Sequence, residues 1–287
     1  MRHAAVLAAL ALGACADAEA PADRAAAPDS AVVVVDAAGR SVRFEAAPQR
    51  IVSLIPAVTV MLLALDARTE LAGRTDFDTL AAVREVPSVG DGLLPDLERL
   101  LTLRPDLVIR FHGLQDPVTG PALDRRGIAH LGLRPDGIAD VRAILLQLGR
   151  VTRREAAARE LLAELDRDLA DVRARVAARP RVRAAYVLGG DPPYVAGPGT
   201  FLAELLEIAG AENVFADLEQ LYAPVSVEEV LVRAPEVLVV GRGTAVSERL
   251  RGRARVLAVS PDVESPGLRL GQSAREVAEG LHPEAFR

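Results

Sequence analysis

Two periods of apolar residues alternate along most of the chain. Short β-branched or apolar runs, at 31–35, 41–44 and 50–54, are bounded by turn residues and predict strands. Longer stretches such as 58–65 carry apolar residues at helical spacing and predict helices. From residue 50 onward the strand and helix patterns alternate. The pattern therefore predicts an initial hairpin followed by an α/β fold with parallel strands.

A repeat at an offset of 130 residues divides this pattern into two halves. Residues 97–109 and 227–239 each read as a helix, a proline, an acid and a buried strand, with Glu98 and Glu228 seven residues before the proline. A second correspondence links 62–67 to 205–211. The repeat predicts two lobes of similar build, and chance similarity of two βα units is the alternative.

A long helix is predicted between the halves, from Thr152 to Ala178. Thr152 and Glu155 fit a capping box, and Arg179-Pro180 ends the pattern. The apolar face consists of Leu161, Leu165, Leu169, Val172 and Val176. Such a helix would span roughly 40 Å, which suits a strut between lobes; a coiled-coil partner helix is the weaker alternative. We therefore expect an N-terminal lobe over 32–137, an interlobe helix within 138–179 and a C-terminal lobe over 180–287.

The N-terminus has the pattern of an export signal. A basic start precedes the apolar run 4–12, which is too short to cross a bilayer as a helix. The run ends in Leu12-Gly13-Ala14-Cys15, which resembles the lipobox of bacterial lipoproteins. We therefore expect a signal peptide over 1–14, lipidation of Cys15, and a disordered tether over 15–31. The mature protein would be secreted across the inner membrane and anchored at the cell envelope. An ordinary export signal with a chance cysteine is the alternative.

Composition excludes several classes of function. The net charge is −6 without a basic run, which argues against a nucleic-acid partner. The chain contains no lysine, which excludes a P-loop and Schiff-base catalysis. Cys15 is the only cysteine and the four histidines lack the spacing of a metal motif, so we expect no metal site and no resident cofactor. No nucleophile elbow is present, and we expect no catalytic residues.

Candidate ligand contacts follow the predicted strands, because two-lobed α/β proteins bind ligands outside the carboxyl ends of their strands. Aromatic rings in such loops offer flat apolar faces with polar tips. A loop histidine is a candidate ligand to a bound metal, although a polar contact is the plainer interpretation. The candidates are Asp76, Phe77, Phe111, His112, Tyr194, Tyr222 and Arg269.

Residues 50–59, 97–109, 224–228 and 265–269 together resemble the iron-chelate and cobalamin class of periplasmic binding proteins, which serve ATP-driven (ABC) importers. The resemblance implies two Rossmann-like lobes joined by a single long helix, with little hinge motion. It implies a monomer that captures a corrinoid, a ferric siderophore or haem and delivers it to a permease dimer with its ATPase. It also implies that Glu98 and Glu228, the glutamates of the repeat, dock on permease arginines. The simpler alternative is that each glutamate only stabilises the dipole of its own helix.

Within this family the resemblance favours a corrinoid. Phe111, Tyr194 and Tyr222 match aromatic positions of the cobalamin-binding member, and Asp76 stands where that member has a ring. Anionic siderophores usually meet arginine clusters, and Arg110 and Arg269 keep that ligand class open.

The family pattern is incomplete near the first strand. The Ser-Pro-x-x-Thr-Glu motif often found in the family has neither its Ser nor its Glu here, and the Tyr-Pro pair expected after Asp78 is absent. A chelatase-like or corrinoid-processing enzyme, with Asp76 and Asp78 as a carboxylate pair, is the alternative class. A sensor lobe for a surface receptor is a third.

Overall fold

A computed structural model of the protein describes residues 31–114 and 116–287. The predicted signal peptide, Cys15 and all but the last residue of the predicted tether lie outside this part of the chain. Within it, no helix has both the length and the apolar character needed to cross a bilayer.

The predicted hairpin is confirmed. Strands β1 (Val32–Val35) and β2 (Ser41–Phe44) pair antiparallel. Gly39 has a φ of +75° in the connecting turn, a conformation that glycine adopts without steric cost. Alternate residues of β1 are buried, as expected for a strand with one face on the core.

The first lobe contains a four-stranded sheet in which every neighbouring pair is parallel, as predicted. The order across the sheet is β4-β3-β5-β6. The strands are β3 (Ile51–Ser53), β4 (Leu71–Gly73), β5 (Leu107–Phe111) and β6 (His130–Leu133). The helices of this lobe are α1 (Pro56–Ala64), α2 (Leu97–Thr102), α3 (Thr119–Asp124) and α4 (Ile138–Val151). A 3₁₀ turn covers Ala81–Val83.

Helix α5 (Glu155–Val176) leads to a second lobe with a mixed sheet. Its strands are β7 (Val182–Gly189), β8 (Tyr194–Ala196), β9 (Ala211–Asn213), β10 (Tyr222–Pro224), β11 (Val237–Gly241) and β12 (Arg255–Val259). The order is β10-β8-β7-β11-β12, with β9 also paired to β7. The helices are α6 (Phe201–Ile208), α7 (Val227–Arg233), α8 (Glu248–Arg251) and α9 (Leu270–Leu281). Two further 3₁₀ turns cover Pro261–Glu264 and Pro283–Ala285.

The sequence repeat corresponds to a repeated structural unit. Helix α2 leads into β5 as α7 leads into β11, and a side chain caps each helix at its start. Asp96 accepts from the backbone N–H of Arg99, and Ser226 accepts from that of Glu229. In both units the residue before the proline, Arg104 or Ala234, has a left-handed backbone.

The predicted interlobe helix is wrong in one respect. Segment 138–179 contains two helices, α4 and α5, and Thr152 does not cap the second. The Thr152 hydroxyl instead donates to the carbonyl of Leu148, four residues back, at 2.7 Å. Arg153 has a φ of 58° and turns the chain between the helices. Helix α5 therefore begins at Glu155 and is roughly 33 Å long rather than 40 Å.

The long helix joins the lobes through packed contacts on both sides. Its buried residues are Ala158, Leu165, Leu169, Val172 and Val176. It packs on α4 of the first lobe and on α9 of the second, so that one hydrophobic cluster runs through both lobes. The predicted class, two α/β lobes joined by a long helix, is confirmed, and the shared core makes the two lobes one packed body.

Candidate functional site

A cleft of about 730 Å³ opens between the two lobes. The first lobe contributes residues at or just after the carboxyl ends of β3, β5 and β6, where α/β folds place ligands, and the second lobe contributes residues at the starts of β8, β10 and α6. The lining residues are Ile55, Phe111, Gly113, Leu114, Arg134, Pro135, Asp136, Tyr194, Phe201, Gln220, Leu221, Tyr222 and Pro266. The cleft is therefore mostly apolar, with a few polar groups from each lobe.

Two smaller hollows adjoin the cleft and share its aromatic residues. One of about 300 Å³ includes Phe77 and Phe111 from the first lobe. The other, of about 450 Å³, includes Tyr194 and Tyr222 from the second lobe. The rings of Phe77 and Tyr194 are 64% and 47% exposed. The structure thus places all four predicted aromatic residues along one continuous mouth, and their contact with a ligand stays a prediction.

Local folding fixes the position of each ring. Phe111 is the last residue of β5, and Tyr222 is the first of β10. Tyr194 opens β8 after a turn in which Gly189 and Gly190 have φ values of 94° and 97°. A side chain on either glycine would strain this turn, so the glycines allow β7 to reverse and present Tyr194 at the cleft.

Three predicted residues, Asp76, His112 and Arg269, line neither the cleft nor the two hollows. The Cβ of His112 lies against Gly132 of β6, and its backbone N–H donates to Leu133. Arg269 precedes α9, where it forms an ion pair of 2.7 Å with Asp262 and donates to Gln272. None of the three adds to the cleft, and their ligand contacts stay predictions without geometric support.

The acids of the predicted carboxylate pair have separate roles. Asp76 is exposed and accepts a hydrogen bond from the hydroxyl of Ser88 at 2.5 Å. Asp78 is buried and accepts from the backbone N–H and the hydroxyl of Thr75. Because Asp78 is committed to this turn, the pair that the enzyme alternative required is not available.

Arg110, one of two arginines that kept an anionic siderophore open, is also internal. It is 6% exposed, forms an ion pair of 3.3 Å with Asp116 and donates to His130 Nδ1. Asp116 in turn accepts from the backbone N–H of Thr119 at the start of α3. This ion pair holds the loop that carries Gly113 and Leu114 into the cleft, so Arg110 acts by positioning that loop.

Sequence analysis missed the charged pair in the cleft. Arg134 and Asp136 follow β6, and Arg134 Nη2 lies 2.7 Å from Asp136 Oδ2. The signal was available, because the rule that selected Phe111 after β5 also selects a residue just after β6. Burial raises the pKa of Tyr222 to about 12, and the nearby carboxylates of Asp136 and Glu264 add to the shift. Its hydroxyl is therefore a neutral donor beside this pair.

The two lobes meet next to this pair. The carbonyl of Asp136 accepts from the backbone N–H of Phe201 at 2.6 Å. Glu204 accepts from the backbone N–H of Ile138 at 3.3 Å, and burial raises the pKa of this carboxyl. These bonds fix the start of α6 against the end of the first lobe and so define the floor of the cleft.

The two glutamates of the repeat lie at equivalent positions in the two lobes. Each occupies the second position of a helix that precedes a parallel strand, and such a helix begins at the carboxyl end of its sheet. Glu98 follows the cleft-mouth residue Leu93 by five positions, and Glu228 follows Tyr222 by six. Both are exposed, and Glu228 is held by an ion pair with Arg249, which lowers its pKa.

Within 31–114 and 116–287, no group of three histidine, aspartate or glutamate side chains lies close enough together to hold an ion.

Comparison with known proteins gives a consistent result. A cobalamin-binding protein of Halobacterium salinarum is 31% identical over 219 residues, which cover 72% of this chain and 57% of that protein. An uncharacterized ABC transporter substrate-binding lipoprotein of Bacillus subtilis is 27% identical over 276 residues, which cover 89% of this chain and 87% of that protein. The solved structure of an ABC-type Fe³⁺-hydroxamate transport system from Saccharomonospora viridis has a TM-score of 0.71 at 25% identity, covering 88% of this chain and 99% of that chain.

The family model described as periplasmic binding protein matches residues 51–259, which include both sheets and the helix between them. Members of this family bind solutes and are not enzymes. The match covers well over half of the chain, and the protein therefore belongs to the periplasmic binding protein family.

Proposed function

We propose that this protein captures a corrinoid in the cleft between its lobes and delivers it to the permease of an ABC importer. The observation that carries the proposal is the character of the cleft. Aromatic and apolar side chains from both lobes line it, and its two charges, on Arg134 and Asp136, compensate each other. A large ligand with apolar faces and little net charge fits such a surface.

Charge argues against a polyanionic siderophore. Such ligands usually meet several arginines, because each anionic group needs a charge-assisted partner. Here Arg110 is buried in an ion pair with Asp116, and Arg269 is paired with Asp262 away from the cleft. Arg134 is already compensated by Asp136. A 31% identical relative is named for cobalamin, which points in the same direction.

A ferric hydroxamate is the second candidate, and haem is a third. The hydroxamate is favoured by the likeness to the Saccharomonospora structure, and such chelates also include uncharged ones that a neutral cleft would accept. The same aromatic mouth would accept the flat macrocycle of haem. All three candidates are coloured, so one measurement separates them.

The test is absorption spectroscopy and calorimetry of the purified mature protein with cyanocobalamin, haemin and a ferric hydroxamate. We expect saturable binding of the corrinoid. Replacing Tyr222 with Ala should weaken it by about tenfold or more, since a buried aromatic contact contributes on the order of 1.5 kcal/mol or more. The control is Val232→Ala, an exposed position on α7. Tight binding of haemin or the hydroxamate alone would overturn the corrinoid assignment.

Export and anchoring complete the proposal. The lipobox-like segment and the Bacillus relative named as a lipoprotein support lipidation of Cys15. Two or more acyl chains would hold the protein stably at the membrane, beside its permease and the associated ATPase. We expect cells fed a labelled fatty acid to label the wild-type protein and not the Cys15→Ala variant. Equal labelling of both would contradict the anchor.

The glutamates on α2 and α7 are the proposed docking contacts. They occupy equivalent places in the repeated unit of the two lobes, an arrangement that would let one permease surface meet both. The protein would act as a monomer in this arrangement, and one acid from each of its lobes would contact the permease dimer.

A further inference from the structure

The pair Arg134 and Asp136 differs from the other ion pairs of the chain in its position. It lines the ligand cleft directly, and the side chains are 41% and 24% exposed. Two pairs of another kind, Arg183 with Glu212 and Arg275 with Asp171, instead connect strands or helices with each other. A charged pair that lines a mostly apolar cleft is in a position to contact a ligand there.

The two members of the pair are held unequally. The backbone of Asp136 is fixed, because its carbonyl accepts from the backbone N–H of Phe201 across the lobe boundary. Arg134 is attached through a long side chain, and its Nε is buried without an acceptor among the residues that the structure describes. The guanidinium is therefore incompletely satisfied by its own chain. It is also the more exposed partner, and the one free to turn towards a ligand.

We infer that Arg134 is a specificity-determining residue that binds an anionic oxygen group on the ligand, with Asp136 as its internal counter-ion while the cleft is empty. This inference rests on the proposed function and adds to it the chemical group that is recognised. On a corrinoid the group is the phosphodiester of the nucleotide loop. On haem it would be a propionate carboxylate.

Exchange of partners explains how the cleft selects its ligand. An arginine binds a phosphodiester or carboxylate with two parallel hydrogen bonds, a geometry that its contact with Asp136 does not need. The ligand anion thus replaces or joins an existing contact, and an uncharged macrocycle gains nothing from it. Asp136 remains nearby and repels a second anion, which limits the ligand to a low negative charge.

The experiment compares two corrinoids that differ in this group. Calorimetry measures the affinity of cyanocobalamin, which carries the phosphate-bearing nucleotide, and of dicyanocobinamide, which lacks it. We expect Arg134→Gln to weaken cyanocobalamin binding about tenfold and to leave dicyanocobinamide within about twofold of wild type. Arg134→Lys should restore part of the loss. Asp136→Asn should strengthen cyanocobalamin binding several-fold, because it removes the competing carboxylate.

Each outcome is decisive. A fall in affinity that is equal for both corrinoids, or no fall at all, would overturn the role of Arg134 while leaving the proposed function intact. Failure of the wild-type protein to bind either corrinoid would overturn the corrinoid assignment. In that case haemin and its dimethyl ester make the same comparison. A tenfold loss confined to haemin in Arg134→Gln would support anion recognition through a carboxylate, and failure there would overturn the inference as well.

The variant proteins carry their own folding control. Because dicyanocobinamide shares the macrocycle, its retained affinity shows that the cleft of Arg134→Gln is intact. The dependence of cyanocobalamin affinity on salt gives a second readout, since an ionic contact weakens with ionic strength and a packing role does not. We expect cyanocobalamin affinity to fall more steeply with salt concentration in the wild type than in Arg134→Gln. Equal slopes for the two proteins would contradict the inference.

Discussion

At the scale of single residues, Tyr222 combines a ring that lines the cleft with a hydroxyl that stays protonated. Burial is the main cause of its raised pKa, and the carboxylates of Asp136 and Glu264 add to it. Ionisation would place a third negative charge among them in a poorly solvated site. The neutral phenol therefore persists under all physiological conditions and serves as a donor beside an apolar surface.

This raised pKa predicts a loss of stability in alkali. The unfolded tyrosine titrates near pH 10, whereas the folded one keeps its proton to about pH 12, so stability falls as the pH rises between these values. The loss due to Tyr222 amounts to about 2 kcal/mol, after allowance for partial exposure. Denaturant unfolding of wild type and Tyr222→Phe at pH 8 and pH 11 measures it. We expect a smaller drop in the variant, and equal drops would contradict the assignment.

The lowered pKa of His130 predicts the opposite pH dependence, a loss of stability in acid. It is buried, and desolvation is the main cause of its lowered pKa; Asp124 opposes the shift, and Arg40 and Arg110 increase it. Its Nδ1 accepts from Arg110, so the folded protein holds the neutral ring. The stability that this neutral ring contributes is complete above the pKa of an unfolded histidine, near 6.5. It is lost as the pH falls below that value.

Urea unfolding at pH 7.5 and pH 5.5 tests this prediction. The wild type should lose stability at pH 5.5, and His130→Gln should lose less, because no imidazole is left to protonate among the arginines. His112→Gln, at a half-buried histidine outside this cluster, is the matched control and should keep the wild-type difference. An unchanged difference in His130→Gln would argue against a neutral buried ring.

Residue roles were the part of the site that sequence predicted least well. Arg110, Arg134 and Arg269 all follow or precede predicted strands and helices, yet only Arg134 lines the cleft. The difference lies in ion pairs that loop geometry sets, of Arg110 with Asp116 and of Arg269 with Asp262. Phe111 was easier, because a ring at the carboxyl end of a parallel strand has the cleft as its natural location.

At the scale of elements, the repeated unit carries the same backbone strain in both lobes. Arg104 and Ala234 have φ values of 46° and 48°, and each precedes a proline that blocks continuation of the helix. The acid after each proline then accepts backbone N–H groups at the start of a neighbouring strand: Asp106 from Arg50, and Glu236 from Arg183. The unit thus ends a helix and sets the adjacent strand in one step.

Relief of this strain should stabilise the protein. A left-handed backbone costs a non-glycine residue about 1–2 kcal/mol, and glycine adds a smaller entropic cost of its own. Ala234→Gly is therefore expected to raise the free energy of unfolding by about 0.5–1 kcal/mol. Ala163→Gly, on the exposed face of α5, is the matched control and should lower it by about 1 kcal/mol. Destabilisation by both substitutions would show that the strain at Ala234 is absent.

Elements were predicted well where the pattern was local. The hairpin, the strands of the first sheet and the helices of the repeat follow from periodicity and turn residues. The helix start that the sequence predicts at Thr152 was wrong. Helix α4 ends in a Schellman motif, in which Arg153 takes the left-handed position and the N–H of Arg154 donates to the carbonyl of Gly149. Glycine usually marks this position, and an arginine there leaves no sequence signal.

At the scale of the whole molecule, α5 determines how rigidly the lobes are joined. Two glycines allow its neighbours to approach closely: a Cβ on Gly149 of α4 would lie 2.4 Å from that of Ala158, and one on Gly271 of α9 would lie 2.4 Å from that of Asp168. Both contacts involve Cβ atoms of α5 itself, which cannot move without the helix. The close packing of α5 on α4 and on α9 therefore depends on the absence of a side chain at Gly149 and at Gly271.

Substitution of these glycines should weaken the packing of α5 against its neighbouring helices. Gly149→Ala and Gly271→Ala force the helices apart, and overpacking of this kind costs about 1–3 kcal/mol of stability. Gly252→Ala, where a Cβ meets only one distant carbonyl, is the matched control. Thermal unfolding measures the stability of the three variants. Stability equal to that of the control would show that the helices accommodate the methyl group.

Docking requires the assembled molecule, because its two acids lie on different lobes. A single exposed Glu–Arg contact contributes less than about 1 kcal/mol, so recognition needs both acids at a fixed spacing. Replacing Glu98 and Glu228 together with Ala should abolish ligand uptake by cells while leaving the affinity of the purified protein unchanged. Glu248→Ala removes another exposed acid and should take up ligand normally. Unchanged uptake by the double variant would refute the docking role.

The ion pair between Arg249 and Glu228 sharpens this test. Glu228 must leave Arg249 to meet a permease arginine, whereas no ion pair holds Glu98 within the described chain. Arg249→Ala should therefore strengthen the association of the loaded protein with permease in detergent, by no more than about fivefold. The same substitution in a Glu228→Ala background should have no effect. Weaker association in Arg249→Ala would mean that Arg249, rather than the acid, contacts the permease.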